Sequence, residues 1–282
     1  MLAVVTASRR TDLPGRYAGW LSECIRAGQA IVPQPYSGRP RLVSLRPSDV
    51  HTLVLLSKDF GPLLRDEAGL RAALANLRHV TCQFTVTGLG GTRLEPGVPP
   101  AGQALEQLPS LVAWLGDARR LTLRFDPIVH WHEDGRVQSN FAWSGEVLAA
   151  CAAAGVRKLR ISFATIYRKM SRRGVAWVDP PLDEKLGMAR DLVAAAARLG
   201  IAVHGCCQPD LASVGVQASG CVDAAELSEL HPDHLGASTQ RAHGQRVACL
   251  CSESVDVGSY EQPCPNGCLY CYARPLVHGK ST

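Results

Sequence analysis

Short apolar segments alternate with longer amphipathic segments through residue 204, and this alternation limits the possible folds more than any other feature of the sequence. The apolar segments have the length of buried strands, and proline or glycine marks the ends of the amphipathic ones. We predict strands at residues 2–6, 52–56, 80–86, 121–125, 158–163 and 201–204. Predicted helices occupy residues 14–28, 65–78, 104–115, 145–154 and 183–199. Such alternation is typical of βαβ units that build a parallel sheet.

Six βα units are too few to close an eight-stranded barrel, and they match a partial one. We therefore predict an α/β protein with a partial (βα)6 TIM-like barrel over residues 1–205. The alternative is a doubly wound open sheet, although no Gly-x-Gly-x-x-Gly turn follows the first strand, which weakens its dinucleotide-binding version. Residues 41–45 lie between Pro40 and Pro47, so we predict an edge or hairpin strand there.

The helix and strand periodicity ends after residue 206, where only residues 223–230 still have a helical pattern. We predict a cysteine-rich, irregular iron–sulfur segment over residues 206–282 that folds over the top of the barrel. Eight of the eleven cysteines lie between Cys206 and Cys271. Dense cysteines at short spacings usually bind metal in a reducing cytosol, and the bound metal can order such a segment.

The sequence also indicates where the protein works. Residues 1–8 lack the length and the basic region of a signal peptide, and no apolar stretch approaches the roughly 20 residues that span a bilayer. We therefore expect a cytoplasmic protein with no membrane partner. The formal charge of +5 counts every cysteine as neutral, and metal ligation would lower it, so net charge alone does not argue for nucleic acid.

The octet at residues 264–271, Cys-Pro-Asn-Gly-Cys-Leu-Tyr-Cys, has the spacing C-x3-C-x2-C. Three thiolates, from Cys264, Cys268 and Cys271, can hold three irons of a cubane and leave the fourth iron open. An open position distinguishes a catalytic metal site from a closed structural one. The alternatives are a zinc site completed by a histidine such as His278, or a closed four-cysteine cluster.

The octet resembles the signature of the radical S-adenosylmethionine (SAM) superfamily. That resemblance implies that the open iron binds SAM, and that reduction of the cluster cleaves SAM to methionine and a 5′-deoxyadenosyl radical, which abstracts hydrogen from a substrate. It also implies that Tyr270 packs near the adenine and that a reductant such as flavodoxin or ferredoxin is a partner. Thr87 and Gly88, with Glu95, are candidate counterparts of the superfamily's glycine-rich edge and acid.

The chain is also similar, almost end to end, to an uncharacterised bacterial family that carries a radical-SAM-like cysteine cluster at its C-terminus. The stretches that match are Ala-Ser-Arg-Arg-Thr-Asp at 7–12, Gln-Phe-Thr-Val-Thr-Gly at 83–88, Leu-Glu-Pro at 94–96, Arg-Phe-Asp-Pro-Ile at 124–128, Ile-Ser-Phe at 161–163, and Cys249-x-Cys251 leading through Asp256, Val257, Gly258 and Tyr260 into the octet. The chain departs from the family at residues 55–59 and at Cys206-Cys207-Gln208. Because the motif comes last rather than after the first strand, the resemblance implies a rearranged version of the superfamily core.

Four further cysteines lie outside the predicted strands and helices, and they are candidates for a second iron–sulfur cluster. They are Cys206 (or Cys207), Cys221, Cys249 and Cys251. Four thiolates would close such a site, which would serve in electron relay or in folding of the C-terminal segment. The alternative is that some of them are simply buried small apolar residues, as Cys24, Cys82 and Cys151 are predicted to be.

Polar residues that follow the predicted strands are candidate substrate-binding or catalytic groups, because strand carboxyl ends face the active site of a barrel. These candidates are Arg9, Arg10, Asp12, Arg124 and Asp126. The arginines could grip a carboxylate or phosphate, and Asp126 could orient an arginine or hold a ribose hydroxyl. The alternative for each is a structural ion pair at the rim.

The sequence thus favours a radical SAM enzyme with two cofactors, an open [4Fe–4S] cluster and SAM, acting on an unknown substrate. The alternative is a non-catalytic iron–sulfur or zinc protein that acts in electron transfer or nucleic-acid binding. The basic run from Arg168 to Arg173 could contact nucleic-acid phosphates, but a solvated loop is the simpler interpretation.

Overall fold

The computed structural model describes residues 2–34 and 37–277. Thirteen strands occur in that part of the chain. In chain order they are β1 (Ala3–Ala7), β2 (Gln29–Pro33), β3 (Pro40–Ser44), β4 (Val50–Ser57), β5 (Val80–Thr85), β6 (Leu121–Ile128), β7 (His130–Glu133), β8 (Arg136–Ser139), β9 (Lys158–Phe163), β10 (Trp177–Val178), β11 (Ala202–Gly205), β12 (Gln217–Ala218) and β13 (Val255–Asp256).

Ten α-helices connect or flank these strands within the same residues. They are α1 (Leu13–Arg16), α2 (Ala18–Arg26), α3 (Gly61–Leu64), α4 (Leu70–Leu74), α5 (Ala101–Leu105), α6 (Leu108–Leu115), α7 (Ser144–Ala153), α8 (Arg168–Ser171), α9 (Leu182–Arg198) and α10 (Ala224–Leu230). None of the helices that the structure describes is long and apolar enough to cross a membrane.

An eight-stranded, all-parallel sheet forms the centre of the protein, in the order β12-β11-β9-β6-β5-β4-β1-β13. The six predicted strands are confirmed as β1, β4, β5, β6, β9 and β11. In β4, seven of the eight residues are buried, as expected where helices and loops cover both faces of a parallel sheet.

The six predicted strands lie side by side in chain order. A doubly wound sheet reverses its order partway across, so the alternative raised by the sequence does not describe this sheet. The two outer strands, β12 and β13, have two residues each and come from the cysteine-rich segment. That segment therefore borders the sheet on both edges, which its irregular sequence did not predict.

Several predicted helices are shorter or broken in the structure. The helix predicted at 14–28 divides at Tyr17 into α1 and α2. The helix predicted at 65–78 is reduced to α4, because Asp66, Ala68 and Gly69 adopt left-handed backbone conformations that end a helix. The helices predicted at 145–154, 183–199 and 223–230 are confirmed to within one residue as α7, α9 and α10.

Two small antiparallel sheets accompany the large one. The strand predicted at 41–45 is confirmed as β3, which pairs with β2 in a hairpin. The second sheet, in the order β10-β7-β8, was not predicted. Trp131 of β7 belongs to an apolar cluster that also contains Cys268 and Tyr270, so this sheet supports the octet.

Candidate metal centre and active site

A cavity of about 450 Å³ opens at the carboxyl ends of the six central strands. Each strand ends with residues in its wall, from Ser8 after β1 to Cys206 after β11. Eight cysteines also line it, namely Cys206, Cys207, Cys221, Cys249, Cys251, Cys264, Cys268 and Cys271. The structure therefore brings both predicted cysteine groups to one place, at the end of the sheet where βα proteins bind their ligands.

The octet loop is held by the segment around Leu94 and Gly97. The Leu269 amide donates to the Leu94 carbonyl at 3.0 Å, and the Gly97 amide donates to the Asn266 carbonyl at 3.1 Å. A Cβ on Gly97 would lie 2.2 Å from the Pro265 carbonyl oxygen, so only glycine permits this approach. These contacts fix the loop that carries the three thiols.

Side chains from the end of the first strand, from α1 and from the turn after α8 hold the same loop. Asn266 donates to Asp12 at 2.8 Å and accepts a hydrogen bond from Arg16 at 2.6 Å. Arg173 donates to the carbonyls of Leu269 and Cys271 at 2.8 and 2.6 Å. The last arginine of the basic run thus binds the octet rather than solvent.

Burial opposes ionisation of the octet thiols. It raises the pKa of Cys264 to about 11 and also raises the pKa values of Cys268 and Cys271. Lys58 lowers the last two pKa values, but less than burial raises them. A bound metal reverses this balance by deprotonating its thiol ligands. Three thiols on one fixed loop at the cavity wall, with Cys268 buried and Cys264 and Cys271 half-buried, fit the ligand set of a cluster with one open iron.

Tyr270 lies in a buried network centred on Glu95, which is 1% exposed. One oxygen of Glu95 accepts hydrogen bonds from the Tyr270 hydroxyl, from Thr87 at 2.6 Å and from Lys58 at 2.9 Å. The other oxygen, Oε2, has no hydrogen-bond partner among the described residues. The Lys58 ammonium also lies 5.5 Å from the centre of the Tyr270 ring.

The four residues predicted to bind SAM thus have different positions. Tyr270 lines the cavity, whereas Thr87 and Glu95 do not. Glu95 accepts a hydrogen bond from the Tyr270 hydroxyl, and Thr87 donates to the same Glu95 oxygen. Gly88 packs against Trp143, where a Cβ would lie 2.2 Å from the indole. The absence of a side chain at Gly88 therefore makes room for Trp143, and Gly88 does not line the cavity.

All five predicted catalytic candidates line the cavity. Arg9 pairs with Asp256 at 3.5 Å and donates to Ser254. Arg10 donates to the Gly258 carbonyl at 2.8 Å and pairs with no carboxylate among the described residues. The interpretation of a structural rim contact therefore fits Arg9, while Arg10 keeps its charge available to a ligand.

Asp12 has both carboxylate oxygens engaged. Oδ1 accepts from the Gly15 amide at 2.9 Å and from Ser57 at 2.7 Å. Oδ2 accepts from the Lys58 amide at 2.9 Å and from Asn266. This carboxylate joins the ends of β1 and β4 to the octet and acts as a positioning residue.

Arg124 and Asp126 form a half-buried ion pair at the end of β6. Arg124 also donates to Cys221 Sγ at 3.2 Å and to Gln83 at 2.7 Å. Asp126 accepts a hydrogen bond from Ser162 as well. Hydrogen bonds from the neighbouring thiols and the charges of Arg124 and Arg160 hold the pKa of Cys221 well below its usual value.

Sequence reasoning missed several residues that build the site. Arg160, 1% exposed, donates to the Gly220 carbonyl at 2.8 Å and to Gln83 at 3.2 Å. Asp256 of β13 accepts from Ser8 at 2.8 Å and from the Arg9 amide at 2.9 Å, which ties the C-terminal segment to β1. The similarity of residues 83–88 and 256–258 to the bacterial family was the available signal for Gln83 and Asp256.

Within residues 2–34 and 37–277, no three His, Cys, Asp or Glu side chains surround one point as ligands of a single ion. A cubane binds each thiolate through a different iron, so it does not require one common point. His278, the histidine considered for a zinc site, lies outside the described residues.

A family model described as "Domain of unknown function (DUF1848)" matches residues 4–273. The comparison with curated proteins finds no match.

Proposed function

Because the chain belongs to the DUF1848 family, a domain of unknown function, we propose an activity from its own geometry. We propose that it is a radical SAM iron–sulfur enzyme that acts on a substrate bound in the cavity. When bound, the cluster and SAM would supply a 5′-deoxyadenosyl radical for hydrogen abstraction. Cys264, Cys268 and Cys271 would hold the cluster, and a one-electron donor such as flavodoxin or ferredoxin would reduce it.

One observation carries this proposal: the three octet thiols line the same cavity as the polar ends of the six central strands. An open iron must face a space that admits SAM and substrate, and the octet lies at the wall of such a space. The strand order supports the finer proposal that the sheet is a partial βα barrel, since barrel strands also follow one another in chain order.

The protein's own residues would position the reactants. Tyr270 would offer an aromatic ring to the adenine, and its hydrogen bond to Glu95 would keep that ring in place. Arg10 and Arg124 would attract carboxylate or phosphate groups, because guanidinium groups bind such anions through paired hydrogen bonds. The apolar cluster behind the octet would limit the access of water to the radical.

Anaerobic turnover tests the proposal directly. Reconstituted protein, reduced with dithionite, should convert SAM to 5′-deoxyadenosine, measured by liquid chromatography and mass spectrometry. Cys268→Ala should abolish the product. Cys24→Ala is the matched control, because Cys24 lies in α2 away from the cavity and should leave the rate unchanged.

Failure of the wild type would support the non-catalytic alternative. If iron-replete protein neither binds SAM nor forms 5′-deoxyadenosine, the remaining interpretation is an iron–sulfur protein that acts in electron transfer or nucleic-acid binding. Stoichiometric zinc in place of iron would overturn the proposed cluster as well.

A further inference from the structure

We propose that the cavity binds a second iron–sulfur cluster, separate from the one assigned to the octet. Its ligands are thiolates of the cysteines outside the octet that line the cavity. They are Cys221, Cys249, Cys251 and one of the adjacent pair Cys206 and Cys207. Four thiolates complete the coordination of a [4Fe–4S] cluster, so this site has no open iron for SAM.

The five thiols form a continuous chain of contacts. Cys206 Sγ lies 3.5 Å from Cys221 Sγ, and the Cys221 amide donates to Cys251 Sγ at 3.2 Å. Cys207 lies beside both Cys206 and Cys249. These residues come from three separate segments of the chain. Burial of small apolar side chains would not by itself bring three segments together through their sulfur atoms.

The backbone of these segments is shaped to present the thiols. A Cβ on Gly220 would lie 2.6 Å from the Leu250 carbonyl oxygen, so the chain before Cys221 runs directly against the chain before Cys251. Cys207 has a φ of 55°, a left-handed conformation that non-glycine residues rarely adopt. Cys207, Cys221 and Cys251 all line the cavity.

Arginine side chains surround the same thiols. Arg124 donates to Cys221 Sγ at 3.2 Å, and Arg160 is buried beside it on the Gly220 carbonyl. Arg246 lies near Cys207. A four-thiolate [4Fe–4S] cluster carries about two negative charges, which these guanidinium groups would offset. Hydrogen bonds to ligand sulfur also tune the potential of such a cluster.

The inference rests on residues other than the octet and goes beyond the proposed function. A cluster with four cysteine ligands has no open iron, so SAM would bind only at the octet. The second cluster would therefore relay electrons or order the C-terminal segment. Its segment supplies β12 and β13, the two edges of the central sheet, so ligation there would also stabilise the sheet.

Iron and sulfide counts after anaerobic reconstitution with ferrous iron and sulfide test this inference. Wild type and the control Cys24→Ala should each bind about eight irons and eight sulfides per chain. A triple octet variant, with Cys264, Cys268 and Cys271 changed to alanine, should keep about four, with the Mössbauer spectrum of a [4Fe–4S] cluster. A Cys221→Ala/Cys251→Ala variant should also keep about four.

The inference would be overturned if the triple octet variant folds but binds no iron. It would also be overturned if that variant binds zinc in preference to iron when both metals are present. Circular dichroism establishes that each variant is folded. If the Cys221→Ala/Cys251→Ala variant does not fold, Cys206→Ala/Cys207→Ala decides, because retention of about eight irons there would exclude the assigned ligands. Wild type with about eight irons and no SAM cleavage would contradict the proposed function alone.

Discussion

Asn266, inside the cysteine octet, donates a hydrogen bond to Asp12, 254 residues earlier in the chain, at 2.8 Å. Asp12 lies just after the first strand, so this bond joins the two ends of the chain at the cavity. The same carboxylate caps α1 and binds the end of β4. The position of the octet loop is therefore set by contacts with the sheet.

Asp12→Asn should destabilise the protein by about 2 to 3 kcal/mol. Each oxygen of Asp12 accepts two hydrogen bonds, one oxygen from Gly15 and Ser57 and the other from Lys58 and Asn266. An amide nitrogen in place of either oxygen leaves two buried donors without an acceptor. Urea unfolding of wild type and variant measures the difference.

Glu261→Gln is the control for that substitution, because it makes the same chemical change at an exposed position. Its stability should stay within about 0.5 kcal/mol of wild type. Equal unfolding midpoints for the two variants would show that Asp12 does not hold the octet loop.

Glu95→Gln should cost about 3 to 5 kcal/mol, because it leaves the Lys58 ammonium buried without a counter-charge. Burial lowers the pKa of Lys58, but the charge and hydrogen bond of Glu95, together with the charges of Cys268 and Asp126, raise that pKa overall. The exposed pair of Glu67 with Arg65 is the control, and Glu67→Gln should change stability by less than about 1 kcal/mol. Similar losses in both variants would contradict a buried Glu95–Lys58 pair.

The strands and the octet could be predicted because their signals are local. Six apolar segments became six neighbouring strands, and the spacing of the octet identified three thiols that do line one cavity. The strands β12 and β13 have two residues each, which is too short for a periodic pattern. Their positions depend on contacts with distant strands.

The polar networks could not be predicted for the same reason. Tyr270 and Glu95 are 175 residues apart, and nothing around either residue indicates that they share a hydrogen bond. Arg160 occupies a strand position where an apolar residue is usual, and only the fold supplies its partners, Gln83 and Gly220. The second thiol group, Cys206, Cys207, Cys221, Cys249 and Cys251, was predicted from composition, but the spacing could not show that Cys206 and Cys207 both contact other cysteines of the group.

Acid should destabilise the protein through His79, in addition to any effect on its cysteines. Burial, with the nearby charges of Arg120 and two histidines, lowers the pKa of His79 to about 3. The unfolded imidazole binds its proton near pH 6.5, so between about pH 6.5 and 3 the unfolded state takes up a proton that the folded state does not. The free energy of unfolding should therefore fall as the pH falls through this window.

His79→Asn removes that titration while leaving a side chain that can still contact Thr52, which lies 2.9 Å from His79 Nδ1. Urea unfolding at pH 7 and pH 5 compares the two proteins. Wild type should lose more stability than the variant over this interval. Equal losses would mean that the folded imidazole is protonated as readily as the unfolded one.

Gly97→Ala should displace the octet loop and reduce iron bound there. The new Cβ would lie 2.2 Å from the Pro265 carbonyl oxygen and 2.9 Å from the Asn266 Cα, and backbone atoms cannot rotate away as a side chain can. Gly102→Ala is the matched control, since it makes the same change in α5 with no atom within 4 Å of the new Cβ. Alanine is the better helix former there, so the control should be stabilised by about 0.5 to 1 kcal/mol and keep all its iron. Gly97 contacts the octet loop and not the second thiol group. Gly97→Ala should therefore lose about four of its eight irons, those of the octet cluster, and with them its SAM cleavage. Full iron and full SAM cleavage in Gly97→Ala would show that the close approach of residue 97 to the octet does not fix the cluster.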